Sequence, residues 1–177
     1  MSDLTDTGFV LLRTAAQLED AVCLLCLPRP GVDVDQESCT VTGYGKPTVN
    51  TGEGELPRGA AYWEDKTSDG ILREAELDII NSSQCASYLG LSEKQSSSSY
   101  LSSTLCAKND VGETDQSACF LGLDGGSPLA CEAEGHHYLG GVVIFSTVCG
   151  GNYPSVFIKV SHYVEWILNN YAALRLE

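Results

Sequence analysis

The sequence predicts an all-β protein, an antiparallel β-barrel followed by one C-terminal helix. Short apolar runs recur along most of the chain and are separated by clusters of Gly, Pro, Ser, Thr and Asn. Such spacing is typical of barrels built from many short strands. Only the last apolar stretch has a helical period, and the sequence shows no internal repeat. The length of 177 residues suits one domain with a sizeable core, or a domain and a fraction of another.

The first half of the chain predicts strands separated by loops. Residues 9–12 are a short apolar run, interpreted as a buried strand, and residues 21–27 are a second apolar run that ends at prolines. Residues 38–45 are rich in β-branched side chains and predict a strand that enters a turn. Residues 46–70 indicate a long surface loop. Residues 71–80 alternate apolar with charged side chains, which indicates a half-buried strand.

The second half continues with equally short elements. Residues 83–88 favour a short helix, and residues 96–103 favour a serine-rich loop. Three apolar runs follow, at residues 104–107, 138–145 and 156–160, and we interpret them as further strands.

The last element is predicted to be an amphipathic helix. Ser161 is a candidate N-cap, and beyond it Val164, Ile167, Leu168 and Tyr171 recur at i, i+3, i+4 and i+7. This spacing places the four apolar side chains on one face.

Charge limits the classes of partner. Ten Lys and Arg against 24 Asp and Glu give a formal net charge of −14. Such a surface repels phosphate backbones, so we expect protein partners and no nucleic acid. No apolar run reaches the roughly 18 residues that a transmembrane helix needs, so we expect no membrane span.

Eight cysteines indicate an extracellular, oxidising compartment. A zinc site would need a second C-x-x-C beside Cys23 and Cys26, and a redox motif would need a thioredoxin-like unit around them. Neither is present, so we expect disulfides, no metal and no cofactor. The N-terminus shows no signal peptide. The chain is therefore either a fragment or processed product of a secreted protein, or the product of an incomplete gene model.

A motif between two cysteines points to a family. The segment from Cys119 to Cys131 contains Asp124-Gly-Gly-Ser-Pro128 and resembles the Gly-Asp-Ser-Gly-Gly-Pro motif of trypsin-like serine proteases. Aligned from Pro128 backwards, Asp124 matches the aspartate of the motif. Gly125 then stands at the position of the nucleophilic serine.

Five ordered landmarks extend the resemblance over residues 8–172. They are similar to the strand after the catalytic aspartate, the Cys-Leu-Pro between the barrels, Cys-x-Val-Thr-Gly-Trp-Gly, the cysteine of a mid-domain helix, and the C-terminal strand and helix. In this chain these landmarks are residues 9–13, 26–28, 39–45, 81–85 and 149–167.

The resemblance implies the second, six-stranded barrel of a two-barrel protease. Residues 1–27 are then a remnant of the first barrel with the inter-barrel connection, and residues 28–177 are the second barrel with its helix. A barrel without its neighbour leaves an apolar face uncovered. We therefore expect a partner, either the N-terminal half of the same precursor or another chain.

The resemblance also implies disulfides. The cysteine that matches Cys26 ties the protease domain to an N-terminal region, and Cys23 has no counterpart, so both are candidates for interchain bonds. Residue count alone allows 105 pairings of eight cysteines. The pairs implied by the resemblance are Cys39–Cys131, Cys85–Cys106 and Cys119–Cys149.

The catalytic groups of the family are not found in this sequence. Gly125 has no side-chain oxygen and cannot form an acyl-enzyme. The position of the catalytic carboxylate falls at Gly8, two residues from Asp6. No base can be assigned: His136 and His137 are interpreted as lying in a turn before Tyr138, and His162 as lying at the start of the final helix.

The oxyanion region and the specificity pocket also depart from the family. Leu123 replaces a glycine, and bulky residues resist the backbone angles that glycine adopts. The degenerate pocket positions are Ser117, which replaces the aspartate of trypsin, and Ile144, Phe145, Ser146 and Ser155. Asp124 has two interpretations: it pairs with a new N-terminal ammonium after cleavage of a zymogen, or it packs a loop.

The Asp-Gly-Gly-Ser-Pro-Leu segment is similar in particular to clip-domain and masquerade-like serine protease homologues of arthropods. That resemblance implies an inactive adaptor or cofactor in an extracellular proteolytic cascade. A structural subunit of a larger extracellular assembly is the second interpretation, and an active peptidase the third. Separately, Asn81-Ser-Ser83 fits an N-glycosylation sequon or an unmodified turn.

Overall fold

The computed structural model describes residues 8–29, 38–44, 70–91, 99–108, 125–133, 135–146 and 154–174. Its elements are β1 (Ser38–Gly43), β2 (Arg73–Ile80), α1 (Ser82–Tyr88), α2 (Ser99–Ser103), β3 (Thr104–Lys108), β4 (Pro128–Ala133), β5 (His136–Ser146), β6 (Ser155–Lys159) and α3 (Val160–Leu174).

The strands form one closed antiparallel barrel, which confirms the predicted fold class. The ring runs β1-β2-β3-β6-β5-β4 and closes between β4 and β1. Cys39 lies opposite Leu77 on one side and opposite Cys131 on the other. Every neighbouring pair is antiparallel. Because the barrel is closed, each of the six strands has a hydrogen-bonded neighbour on both of its edges.

Alternation of side chains explains why the first two strands form. In β1, Cys39 and Val41 are buried, while Thr40 and Thr42, which alternate with them, are partly exposed. In β2, Leu77 and Ile79 are buried, and the acidic residues between the inward positions face solvent. A period of two places one set of side chains inside and the other outside.

The third strand is buried on both faces. Leu105 and Ala107 point into the barrel core, whereas Cys106 belongs to a second apolar cluster beneath α1 and α2. Its partners in that cluster include Cys85 and Val156. The short helices α1 and α2 therefore cover the outer face of β3 and complete its burial.

Two disulfides lie within the described residues. Cys39 is bonded to Cys131, which links β1 to β4, and Cys85 is bonded to Cys106, which links α1 to β3. These are two of the three pairs that the resemblance implies. The third pair, Cys119–Cys149, lies outside the described residues.

Strand β5 bends at two register shifts. One lies where β5 pairs with β4 and leaves Gly140 without a partner, because Leu129 faces Gly141 and Ala130 faces Leu139. The other lies where Val143 and Phe145 pair with consecutive residues of β6. Extra residues of this kind bend and twist a strand, which a small closed barrel requires.

The expectation of a buried strand at residues 9–12 was wrong. These residues have no strand structure and are exposed, with Val10 at 87% and Leu11 at 80% of their full accessibility. An apolar run becomes a buried strand only when neighbouring strands cover it. The barrel described here is already closed and offers residues 9–12 no place in its sheet.

Other boundaries differ from the sequence prediction. Residues 99–103 form the helix α2 and are not a loop. Strand β4 was not predicted, because its sequence contains no β-branched or aromatic residue. His136 and His137 begin β5 and do not lie in a turn. Helix α3 begins at Val160, so Ser161 is a buried residue of its first turn and not its N-cap.

In the described part of the chain, no helix combines the length and the apolar character needed to span a membrane.

Candidate functional site

An apolar groove of about 680 Å³ lies beside β5. Three parts of the chain build it: the N-terminal segment (residues 8–29), the middle of the barrel, and one face of α3. The described lining residues are Gly8, Phe9, Leu27, Gly125, Gly126, Leu139, Val142, Val143, Ile144, Ile158, Val160, Tyr163, Trp166 and Ile167. Among them only Tyr163 carries a titratable side chain.

The turn before β4 is held against β5 by two backbone hydrogen bonds. The Gly126 N–H donates to the Val143 carbonyl at 3.0 Å, and the Val143 N–H donates to the Ser127 carbonyl at 3.0 Å. Gly126 has φ = 91°, a left-handed conformation that favours glycine. The neighbouring Gly125 is exposed, and a Cβ built on it would have no atom within 4 Å.

Two positions that the resemblance gives to catalytic groups lie on the same groove. Gly8 stands at the carboxylate position and Gly125 at the nucleophile position, and both line the cavity. Neither has a side chain that can attack, bind or transfer a proton. The three histidines, His136, His137 and His162, are exposed and do not line the groove.

The expected specificity pocket is only partly described. Ser146 and Ser155 are backbone partners in the register of β5 and β6, and Ser155 is buried. Phe145 precedes Ser146 in β5. Ile144 is partly buried, lines the groove and packs against the second apolar cluster. The other predicted site residues, Ser117, Leu123 and Asp124, lie outside the described residues.

Sequence reasoning missed the helical wall of the groove. Tyr163, Trp166 and Ile167 line it, and the Trp166 ring stacks on the Phe9 ring with centroids 5.5 Å apart. A signal was present: these three residues also recur at i, i+3 and i+4, so α3 carries a second apolar row beside the predicted one. The exposed Trp166 ring, at 42%, belongs to this second row.

Backbone hydrogen bonds at two places position the N-terminal segment beside the barrel. It turns at Glu19 and Val22, whose backbones exchange hydrogen bonds of 3.0 and 2.8 Å. It then pairs with β5: the Cys26 N–H donates to the His137 carbonyl at 3.2 Å, and the Cys26 carbonyl accepts from the Leu139 N–H at 2.8 Å. Cys23 and Cys26 are exposed free thiols.

Comparison with known proteins agrees with this architecture. The family model described as Trypsin matches residues 2–167. Among curated proteins, Protein masquerade of Drosophila melanogaster is 34% identical over 168 residues, which cover 92% of this chain and 14% of that protein. The chain thus spans about one seventh of the length of this relative.

Proposed function

Because the chain belongs to the trypsin family, we propose that it is a non-catalytic protease-like module that acts by binding other proteins. Its role is that of an adaptor or cofactor in an extracellular complex or proteolytic cascade. The observation that carries the proposal is Gly125, the residue aligned with the nucleophile, which is exposed on the groove and has no side chain.

Loss of the nucleophile is sufficient to remove peptidase activity. In a protease where it was measured, removal of the catalytic serine lowers kcat by about 10⁶-fold. Gly8 at the carboxylate position points the same way. The nearby Ser127 lies two residues past the nucleophile position, so the turn that exposes a nucleophile does not present it.

A fluorophosphonate probe tests this directly, since it labels an activated serine covalently. We expect no adduct on the purified chain, or on the chain within its native complex, while an active trypsin-like protease in the same sample is labelled. Gly125→Ser supplies the missing hydroxyl, and a side chain fits at this position without a clash. We expect this variant to remain unlabelled as well, because no base can be assigned and Gly8 stands at the carboxylate position. An adduct on the wild-type chain refutes the proposal.

The groove supports a protein-binding role. It is walled by apolar side chains, and the N-terminal segment beside it exposes further ones, among them Leu11 and Leu24. Exposed apolar surface of this kind is typical of interaction sites. We propose that residues 1–27 belong with a first barrel and residues 28–177 form the second. The occupant of the groove is then a first barrel, from the same precursor or another chain.

Two variants on one helix test the groove. Trp166→Glu places a charge on the groove wall, whereas Leu168→Glu places the same charge on a similarly exposed residue of α3 that does not line the groove. Partners are first identified by copurification from the native source and mass spectrometry. We expect Trp166→Glu to lose the identified partner and Leu168→Glu to retain it. Equal binding by both variants rejects the groove as the docking surface.

The exposed thiols support an extracellular, covalently tethered assembly. Cys23 and Cys26 lie three residues apart on the N-terminal segment, and both are free in this chain. In an oxidising compartment we expect them to bond to the partner chain. Non-reducing peptide mapping of the native material should find both in interchain disulfides. A structural subunit is the alternative role, and a purified chain that remains a stable monomer counts against it.

A further inference from the structure

We propose that Asn81 carries an N-linked oligosaccharide and caps helix α1 at the same time, using different atoms of one amide. The sequence Asn81-Ser-Ser83 satisfies the Asn-x-Ser/Thr acceptor pattern. Sequence alone leaves open whether this is a modified surface site or an ordinary turn. The geometry around the amide distinguishes these possibilities, and it does so independently of the docking groove.

The carbonyl oxygen of the Asn81 side chain accepts a hydrogen bond from helix α1. Asn81 is the N-cap of α1, with extended backbone angles of φ −66° and ψ 159°. Its Oδ1 accepts a hydrogen bond from the Gln84 N–H at 2.9 Å. Its backbone carbonyl accepts from the Cys85 N–H at 2.9 Å. Both acceptors satisfy helix N–H groups that otherwise lack a partner.

The amide nitrogen of Asn81 is not used by the helix cap. Asn81 is half-buried, and the described hydrogen bond of its side chain is made through Oδ1. No buried side-chain nitrogen or oxygen in the described part of the chain lacks a partner. Among the described residues Nδ2 has no hydrogen-bond partner, and we infer that it is open to solvent. Ser82 and Ser83, the next two residues, are exposed, so the surroundings leave room for a sugar.

The transfer reaction consumes only the exposed end of the amide. A bond forms between Nδ2 and the anomeric carbon of an oligosaccharide. The bond from that carbon to the pyrophosphate of a lipid-linked donor breaks, and one Nδ2 proton is released with the lipid pyrophosphate. The product is still an amide, so Oδ1 remains an acceptor for Gln84. The Cys85–Cys106 disulfide joins α1 to β3 and limits displacement of the cap.

The modification is compatible with docking at the groove. Neither Asn81 nor any residue of α1 lines that cavity. The surface around Asn81 can therefore carry the oligosaccharide in solvent while a partner covers the groove.

The test uses the full chain secreted from eukaryotic cells. Enzymatic removal of N-glycans in isotopically heavy water converts a glycosylated Asn to heavy-labelled Asp, which mass spectrometry locates. We expect the label at Asn81 in the wild type, its retention in Ser83→Thr, and its loss in Ser83→Ala. A secreted wild-type chain with unlabelled Asn81 overturns the proposal.

The cap requires a second readout, the melting temperature. Asn81→Asp removes the glycan but keeps a strong N-cap, whereas Asn81→Ala removes both. We expect Asn81→Asp and Ser83→Ala to have the same melting temperature as the glycosylated wild type, and Asn81→Ala to have a lower one. If the glycosylated wild type melts clearly below Ser83→Ala, the sugar displaces the cap and the dual role is rejected.

Discussion

The close approach of β5 to a disulfide predicts a large effect for one added methyl group. Gly140 is buried at the bulge in β5, and a Cβ built on it would lie 2.5 Å from the Sγ of Cys131. Real carbon–sulfur contacts are far longer, so either the sulfur or the strand has to move. The next neighbours of that Cβ, at 3.5 and 3.7 Å, are ordinary contacts. The cost of Gly140→Ala therefore arises almost entirely from one atom.

The expected magnitude follows from overpacking of a dense core. Inserting a methyl group that cannot be accommodated costs about 1–3 kcal/mol. For a domain of this size each kcal/mol lowers Tm by about 2–4 °C. Gly125→Ala is the matched control, because its Cβ would meet no atom within 4 Å and its φ is not left-handed. We expect this control to melt at or slightly above the wild-type temperature.

Thermal unfolding followed by circular dichroism under non-reducing conditions measures both variants, and urea unfolding gives the free energies. The reasoning is refuted if Gly140→Ala is as stable as Gly125→Ala. A smaller loss in a Cys39→Ala/Cys131→Ala background would assign the cost to the sulfur, because the clashing atom is absent there.

Two further predictions concern stability. Phe157→Ala empties the centre of the barrel, where this side chain is fully buried, and should lower the free energy of unfolding by about 3–5 kcal/mol in urea titrations; a loss below that range would mean that the site collapses. Removing the Cys39–Cys131 bond, which spans 92 residues, should cost about 1.3 kcal/mol more than removing Cys85–Cys106, which spans 21. Equal losses from paired Cys→Ala variants would contradict this loop-length argument.

Local patterns predicted the elements whose environment is set by their own side chains. The alternation in residues 71–80 predicted β2, because a strand with one face in the core must alternate. A short helix was predicted at residues 83–88, and α1 spans Ser82–Tyr88 with Asn81 as its N-cap.

The sequence misled where burial depends on distant parts of the chain. Residues 9–12 look like a core strand, yet in the described chain they stay exposed, although the Phe9 ring stacks on Trp166. The sequence of β4, from Pro128 to Ala133, has weak strand propensity, and β4 forms because β1 and β5 flank it on both sides. Tertiary context overrides local preference in both cases.

The same division applies to the candidate site. Alignment of a short motif was sufficient to propose Gly125 for the nucleophile position, because a glycine at an aligned position is visible in one letter. The groove was not predictable, since Phe9, Val142 and Trp166 lie far apart in the chain and meet only in the folded barrel. Its apolar character is a property of the assembled surface.

The pairing of Cys26 with β5 has a consequence for aggregation. Along its first residues β5 hydrogen-bonds to β4 on one edge, and on the opposite edge Cys26 occupies the His137 carbonyl and the Leu139 N–H. Exposed strand edges recruit other chains. A proteolytic cut before Cys23 leaves Cys26 joined to the rest of the chain and paired with this edge, whereas a cut after Arg29 allows the segment that contains Cys26 to dissociate. We expect only the cut after Arg29 to produce a species whose exposed edge pairs with strands of neighbouring molecules.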